Sequence, residues 1–241
     1  MDYRREFLDF LRKKNALKIA GDPSSFFQLK SGRVSPSFIS LGSLTDGESL
    51  ITLKKCYSQA TLEGVEQGVL QDFTYVFGPA YKGITLGALL CEGLQEYADK
   101  STSLLYDRKE EKSHGEVSQG RSVEKIIVGA ENFVSTSGIL LVDDVVTTGQ
   151  AKYEALEKMR LLGEHRIAGM VVAVDRQELL GDAQQVGQYS AIQALERELG
   201  IRTFAILTMQ EIFSLVQDSL SKEVRQAWIA YYERYGAVRL G

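Results

Sequence analysis

Two adjacent carboxylates, Asp143 and Asp144, stand between the apolar run Ile139-Leu140-Leu141-Val142 and the segment Val145-Val146-Thr147-Thr148-Gly149-Gln150-Ala151. The apolar run reads as a strand covered on both faces, as in a parallel sheet, so the residues after it sit at the strand's carboxyl end, where open α/β sheets bind ligands. Thr147, Thr148 and Gly149 lead into a helical pattern in which Ala151, Ala155, Met159 and Leu162 recur before a stop at Gly163. Free N–H groups at such a helix start, with two hydroxyls beside them, suit a phosphate dianion. The carboxylates would repel that phosphate and need another part of the ligand. The cis-diol of a ribose fits, because its hydroxyls donate to acceptor-only oxygens. A phosphorylated sugar is the ligand these residues imply. The plainer alternative is that the two aspartates cap a turn and Thr-Thr-Gly merely opens a helix.

A second chemical signal is Asp107-Arg108-Lys109-Glu110-Glu111-Lys112-Ser113-His114-Gly115-Glu116, a stretch without an apolar side chain. It reads as a mobile surface loop that burial does not anchor, with Arg108, Lys109, Lys112 and His114 as cationic donors suited to a pyrophosphate group. A solvated charge run is the plain alternative. Three shorter segments carry further donors. Leu29-Lys30-Ser31-Gly32-Arg33 precedes Phe38, Phe77-Gly78-Pro79-Ala80-Tyr81-Lys82-Gly83 follows a strand and opens a helix, and Asp175-Arg176 ends another strand. Taken singly, these read as a turn, a helix cap and a surface ion pair.

The segment from Asp143 to Ala151 resembles the phosphoribosyl diphosphate (PRPP) binding motif of the type I phosphoribosyltransferases. The loop Arg-Lys-Glu-x-Lys-x-His-Gly-Glu resembles the catalytic loop of the orotate-using branch of that family, and the Lys30 segment resembles its base-pocket segment. The resemblance runs from Tyr3 to about Leu207. It implies an α/β fold with a parallel-sheet core flanked by helices and a small hood formed by the N-terminal segment. It also implies one domain over 1–241, with the hood mainly 1–45, the core about 46–210 and C-terminal helices over 210–235. The implied reaction is transfer of phosphoribose from PRPP to N1 of orotate, a step of pyrimidine biosynthesis. Carried over by position, Lys30, Tyr81, Lys82, Arg108, Lys109, Lys112 and His114 contact PRPP, with Asp143, Asp144, Val145, Val146, Thr147, Thr148, Gly149, Gln150 and Ala151 as its cradle. Lys30, Phe38, Ile39, Thr147 and Arg176 contact orotate. Lys112, Asp143, Asp144, Arg108 and His114 carry catalysis. Mg2+ is held mainly through PRPP, with no metal ligand assigned to the protein, and the family implies a homodimer with shared active sites.

The chain departs from the family pattern at Ile39, where a second aromatic is usual, at Ser37 and Ser40, and at Val117-Ser118 in place of a glycine pair. A purine or uracil transferase would share the Asp143 to Gly149 motif but lack the charged loop. A non-catalytic regulator on the same fold would not be expected to keep all four cations of that loop.

The elements that must position these groups alternate. Strands are expected at 74–77, 103–106, 139–142, 167–174 and 203–207, and helices at 2–14, 48–67, 83–98, 150–162, 210–219 and 222–235, which favours a parallel α/β sheet. Ile126-Ile127-Val128 and Phe133-Val134 suggest a hairpin within 117–138. At 241 residues and 44% hydrophobic content the chain can bury one large core. A net charge of -4 argues against a basic nucleic-acid surface, and no apolar run is long enough for a membrane span or secretion signal. The expectation is a cytoplasmic enzyme. Cys56 and Cys91 stand apart from any Cys/His grouping and read as inert thiols.

Overall fold

The computed structural model describes residues 2–108, 126–146 and 150–240. The chain begins with α1 (Tyr3–Lys13), four short strands β1 (Leu17–Ile19), β2 (Phe27–Gln28), β3 (Val34–Ser35) and β4 (Ser37–Ile39), and the long helix α2 (Gly47–Glu66). Next come β5 (Tyr75–Phe77), α3 (Lys82–Ala98), β6 (Ser103–Asp107), β7 (Ile127–Val128), β8 (Gly138–Val145) and α4 (Gln150–Met159). After these follow β9 (Arg166–Asp175), the hairpin β10 (Leu179–Gly181) and β11 (Val186–Ser190), α5 (Ala191–Leu199), β12 (Thr203–Thr208), α6 (Met209–Val216) and α7 (Lys222–Tyr235).

The main sheet has the order β12-β9-β8-β5-β6-β7, parallel throughout except for β7, which runs antiparallel on β6. Leu140, Val142, Val171 and Ala173 point into one core with Tyr57 of α2 and Leu90 of α3. Their neighbours Ile139, Leu141, Met170 and Val172 point into the other core with Ala155 and Met159 of α4 and Leu195 of α5. Burial on both faces is why these strands read as unbroken apolar runs. From β5 the chain crosses through α3 to β6 on one side, whereas from β8 it crosses through α4 to β9 on the other. The strand order therefore reverses between β5 and β8, and a crevice opens at their carboxyl ends.

Local chemistry sets the helix ends. Asp2, Asp46 and Ser221 accept N–H bonds at the starts of α1, α2 and α7. Beyond α4 a 3-10 turn over Arg160–Leu162 ends at Gly163, whose φ of 80° suits a residue without a side chain. On α7, Trp228 is fully buried and meets Phe213 edge-on, the ring centroids 5.5 Å apart.

The core strands and all six expected helices form within a residue or two of their expected bounds, the helices at 150 and 210 finishing as 3-10 turns, except that β8 runs three residues past 142 and so includes Asp143 and Asp144. The expected pairing of Ile126-Ile127-Val128 with Phe133-Val134 does not form. Ile127 and Val128 pair instead with Asp107 and Tyr106, and Ala130–Asn132 is a 3-10 turn. The apolar side chains of that stretch serve the sheet edge, since Ile127 is buried against Leu105. The sequence reading also passed over α5, although Ser190 and Gln193 form a capping box and Gly200 stops the helix. Among the described residues no helix is long and apolar enough to cross a membrane.

Candidate active site

A cleft of about 610 Å³ lies at the carboxyl ends of the strands, bounded by Lys30, Phe38 and Ile39 from the N-terminal ladders, Lys82, the strand end Asp144-Val145-Val146, and Asp175-Arg176. Residues separated by more than a hundred positions thus face one space.

On the β5–β8 side, Asp143 Oδ1 accepts from the Asp144 N–H and Asp144 Oδ1 from the Val145 N–H, so each carboxylate is fixed by the next peptide. The second Asp144 oxygen takes the Lys82 ammonium at 2.7 Å. For Asp144 the capping and ligand-facing readings are therefore compatible, because one oxygen holds the backbone and the other faces the cleft. Asp144 is buried on the protein side while Lys82 is largely exposed, so an incoming anion meets the lysine first. From α2, the buried Tyr57 hydroxyl donates to the Asp143 carbonyl at 2.8 Å. Burial, and then the Asp144 carboxylate nearby, hold that phenol far above its ordinary pKa, so it stays a donor.

The turn 78–82 follows β5 as its sequence suggests. A Cβ on Gly78 would lie 2.0 Å from the Gly83 carbonyl oxygen, so only glycine allows α3 to start this close to the strand. Tyr81, reached through a cis peptide from Ala80, caps α3 and is 72% exposed. Arg108 begins the charged segment, with its N–H on the Ile126 carbonyl. Its buried Nε has no hydrogen-bond partner among the described residues, a donor whose desolvation an anion would offset. Asp107 departs from the expected unanchored loop. It ends β6, is buried, and is fixed by polar partners, Ala80 N–H at 2.7 Å and Lys158 at 2.5 Å. Apolar content was the wrong criterion there, because a paired carboxylate can be buried too.

On the β9 side, Arg176 makes two 2.7 Å bonds to Glu178. Burial opposes its charge, but the Glu178 carboxylate outweighs that and raises the guanidinium pKa. Tyr232 of α7 donates to the Arg176 carbonyl at 2.6 Å. Arg33, only 2% exposed, reaches the carbonyls of Leu179, Leu180 and Asp182 and lies 3.6 Å from Glu178. It pins the β10–β11 hairpin to the N-terminal segment. Phe38 is 38% exposed and tilts against Phe27, while Ile39 packs on the core and lines the cleft beside it. A half-exposed ring over a cleft suits a planar ligand. Asp175 also lines the cleft, and burial raises its carboxyl pKa despite the Gln177 N–H it accepts.

Lys30, Phe38, Ile39, Lys82, Asp144, Val145, Val146 and Arg176 thus meet in one cleft. Lys109, Lys112, His114, Thr147, Thr148 and Gly149 lie outside the described residues, and of Gln150 and Ala151 only the backbone at the start of α4 is described. Sequence reasoning missed Arg33, Tyr57, Glu178, Lys158 and Tyr232 as parts of the site. Glu178 was legible, two residues after Arg176, but the others act across distances no local pattern reports. Among the described residues no three His, Cys, Asp or Glu side chains converge as a metal cage. A Mg2+ that keeps its waters and binds through substrate phosphates with one or two carboxylates nearby is compatible with Asp143 and Asp144. The two cysteines are free, and burial pushes the Cys56 thiol up to about 12, which leaves it a poor nucleophile.

No family model matches the chain. It is 36% identical over 246 residues to the orotate phosphoribosyltransferase of Bifidobacterium adolescentis, covering 98% of each protein. It is 37% identical over 223 residues to that of Colwellia psychrerythraea, covering 92% of this chain and 89% of the relative. Among solved structures, the crystal structure of orotate phosphoribosyltransferase from Francisella tularensis superposes with a TM-score of 0.77 at 30% identity, over 96% of this chain and 99% of that one.

Proposed function

The chain belongs to the orotate phosphoribosyltransferase family, and from that premise we propose how its own residues divide the work. The reaction joins the phosphoribosyl group of PRPP to N1 of orotate, giving orotidine 5'-phosphate and pyrophosphate, the PRPP-dependent step of pyrimidine biosynthesis. Inversion at the anomeric carbon requires the base to attack opposite the departing diphosphate. The ring then becomes oxocarbenium-like while the leaving group gains negative charge.

In this reading the cradle from Asp143 to Ala151 holds the 5-phosphate and ribose. Asp143 and Asp144 accept the ribose hydroxyls and oppose the positive charge that develops on the ring. Lys82 exchanges its Asp144 partner for the diphosphate. Lys30 and Tyr81 border PRPP, and Arg108, Lys109, Lys112 and His114 meet the leaving pyrophosphate, stabilising the transition state more than the ground state. Mg2+, carried in with PRPP, supplies charge neutralisation on the diphosphate. Phe38 and Ile39 flank the orotate ring with Thr147 and Lys30, and Arg176 takes its carboxylate. The N-terminal 1–45 acts as the hood above this cleft. The enzyme works in the cytoplasm as a homodimer, each charged loop reaching the neighbour's cleft. The observation that carries the division is the Lys82–Asp144 pair at the strand-order reversal, a cation and a carboxylate that a diphosphate-bearing ribose can separate.

PRPP consumption measured side by side with orotate, uracil, hypoxanthine and adenine should be selective for orotate. Faster turnover of uracil would defeat the assigned base pocket. Lys112→Ala should lose about 10²- to 10³-fold in turnover, the loss expected for one preorganised donor. Mixing it with an Asp143→Asn, Asp144→Asn double variant should restore part of the activity, since one hybrid site then combines an intact cradle with an intact loop. Mixed dimers that form and recover nothing would refute the shared site.

A further inference from the structure

Asp107 ends β6 at the carboxyl edge of the sheet and is only 5% exposed. Both of its oxygens are engaged, Oδ1 by the Ala80 N–H and Oδ2 by the Lys158 ammonium. Lys158 lies in the last turn of α4 and donates a second bond, 3.0 Å long, to the Arg108 carbonyl. One carboxylate therefore fastens three parts that are distant in sequence: the turn carrying Tyr81 and Lys82, the helix that begins at the phosphate cradle, and the root of the cationic segment. Both partners are donors, and a carboxylate is acceptor-only on both oxygens. An amide in its place would present an N–H to one of them. A buried ion pair contributes little net stability in general, so its place at this junction calls for another explanation.

We propose that Asp107 is a positioning residue for PRPP. It holds the 78–82 turn at the height and angle, relative to α4, at which one PRPP molecule can touch both. The proposal rests on reading Lys82 and its turn as part of the PRPP site. Lys158 is the second half of the device: it neutralises Asp107 and, through the Arg108 carbonyl, ties the start of the cationic segment to the same point. Neither residue needs to touch substrate.

The test compares full-length Asp107→Asn, Lys158→Met, the double variant and Lys82→Ala, reading kcat, both KM values and Tm. Asp107→Asn should raise the PRPP KM about tenfold or more, since small misplacements near reacting groups cost up to about 10²-fold, and leave the orotate KM within about twofold. Adding Lys158→Met removes the competing donor, so the carbonyl of the substituted amide can turn to the Ala80 N–H. The double variant should recover most of its PRPP KM although the ion pair is gone and Tm stays low. If the two KM values instead rise together with the fall in Tm, and the double variant is no better than the worse single one, Asp107 is merely structural. Should Asp107→Asn not fold, the double variant decides alone. A PRPP KM within about threefold of the parent at reduced Tm supports the proposal, and any larger rise overturns it. If Lys82→Ala raises the PRPP KM while Asp107→Asn does not, the inference falls and the PRPP assignment stands. If Lys82→Ala changes nothing, both fall.

Discussion

On the β5–β8 wall of the cleft, the groups that face the ligand space or anchor it lie at strand ends or in the turn just beyond: Asp143 and Asp144 lie in the last three residues of β8, Lys82 opens α3 after β5, and Asp107 closes β6. The β9 wall is assembled differently. Arg176 is held by Glu178 and by a tyrosine 56 residues further along, and the hairpin beyond it hangs on Arg33, 146 residues away from Leu179. The first wall inherits its geometry mainly from hydrogen-bonded parallel strands, with Tyr57 of α2 and Lys158 of α4 bracing it from behind. The second depends on the N-terminal ladders and α7 docking correctly. In the proposed division of work PRPP is handled on the sheet, while base selection falls to parts that can be altered without disturbing it.

Substitutions can break this comparison, beginning with the largest effect. Asp144→Asn should lower kcat by about 10²-fold or more, the scale for losing one preorganised electrostatic contact. Tm should barely change, because Lys82 is largely exposed and the pair between them contributes little to stability. A variant that melts early, or one that folds and keeps full turnover, would reduce Asp144 to a cap. Arg176→Ala should raise the orotate KM about 30-fold or more, as expected for an ionised contact in a largely desolvated pocket, and leave the PRPP KM nearly unchanged. Equal rises in both would show that the walls are not separable.

Smaller changes sharpen the contrast. Tyr232→Phe deletes one donor to the Arg176 carbonyl and should lower stability by about 1 kcal/mol, or about 2–4 °C in Tm. It should also weaken orotate binding several-fold with PRPP unaffected, which titration calorimetry can read. Asp175→Asn should have the smallest effect. Burial raises the Asp175 pKa, so ionising it costs more in the folded than in the unfolded chain, and stability is lost as pH rises from the ordinary carboxylate range through the raised value. The Asn variant should match the parent in Tm at low pH and gain on it as pH rises. A constant difference across pH would remove Asp175 from this account.

The two walls were also unequally legible. The β8 wall could be read directly, because strand, carboxylates and cradle are contiguous from Ile139 to Ala151, and a doubly buried strand leaves an unbroken apolar signature. On the β9 wall Arg176 could be placed from the sequence but its supports could not, since the hydrogen bonds of Arg33 go to backbone carbonyls, which have no sequence identity. Asp107 shows a subtler limit. Its charge marked it as loop, yet two donors brought from α4 and the 78–82 turn make burial tolerable, and neither partner is its neighbour in sequence. The helix α5 was missed for a weaker reason, since its cap and stop signals were present at Ser190, Gln193 and Gly200.

The chain has a single tryptophan, Trp228, and it lies one turn before Tyr232 on the helix that braces the base-side wall. Packed in an apolar interior against Phe213, it should fluoresce at short wavelength, and its emission reports on that wall without any label. Titration with orotate should perturb the signal through Arg176 and Tyr232. Titration with PRPP, assigned to the far side at the strand ends, should leave it almost still. One native fluorophore can therefore record, in real time, which half of the cleft is being filled.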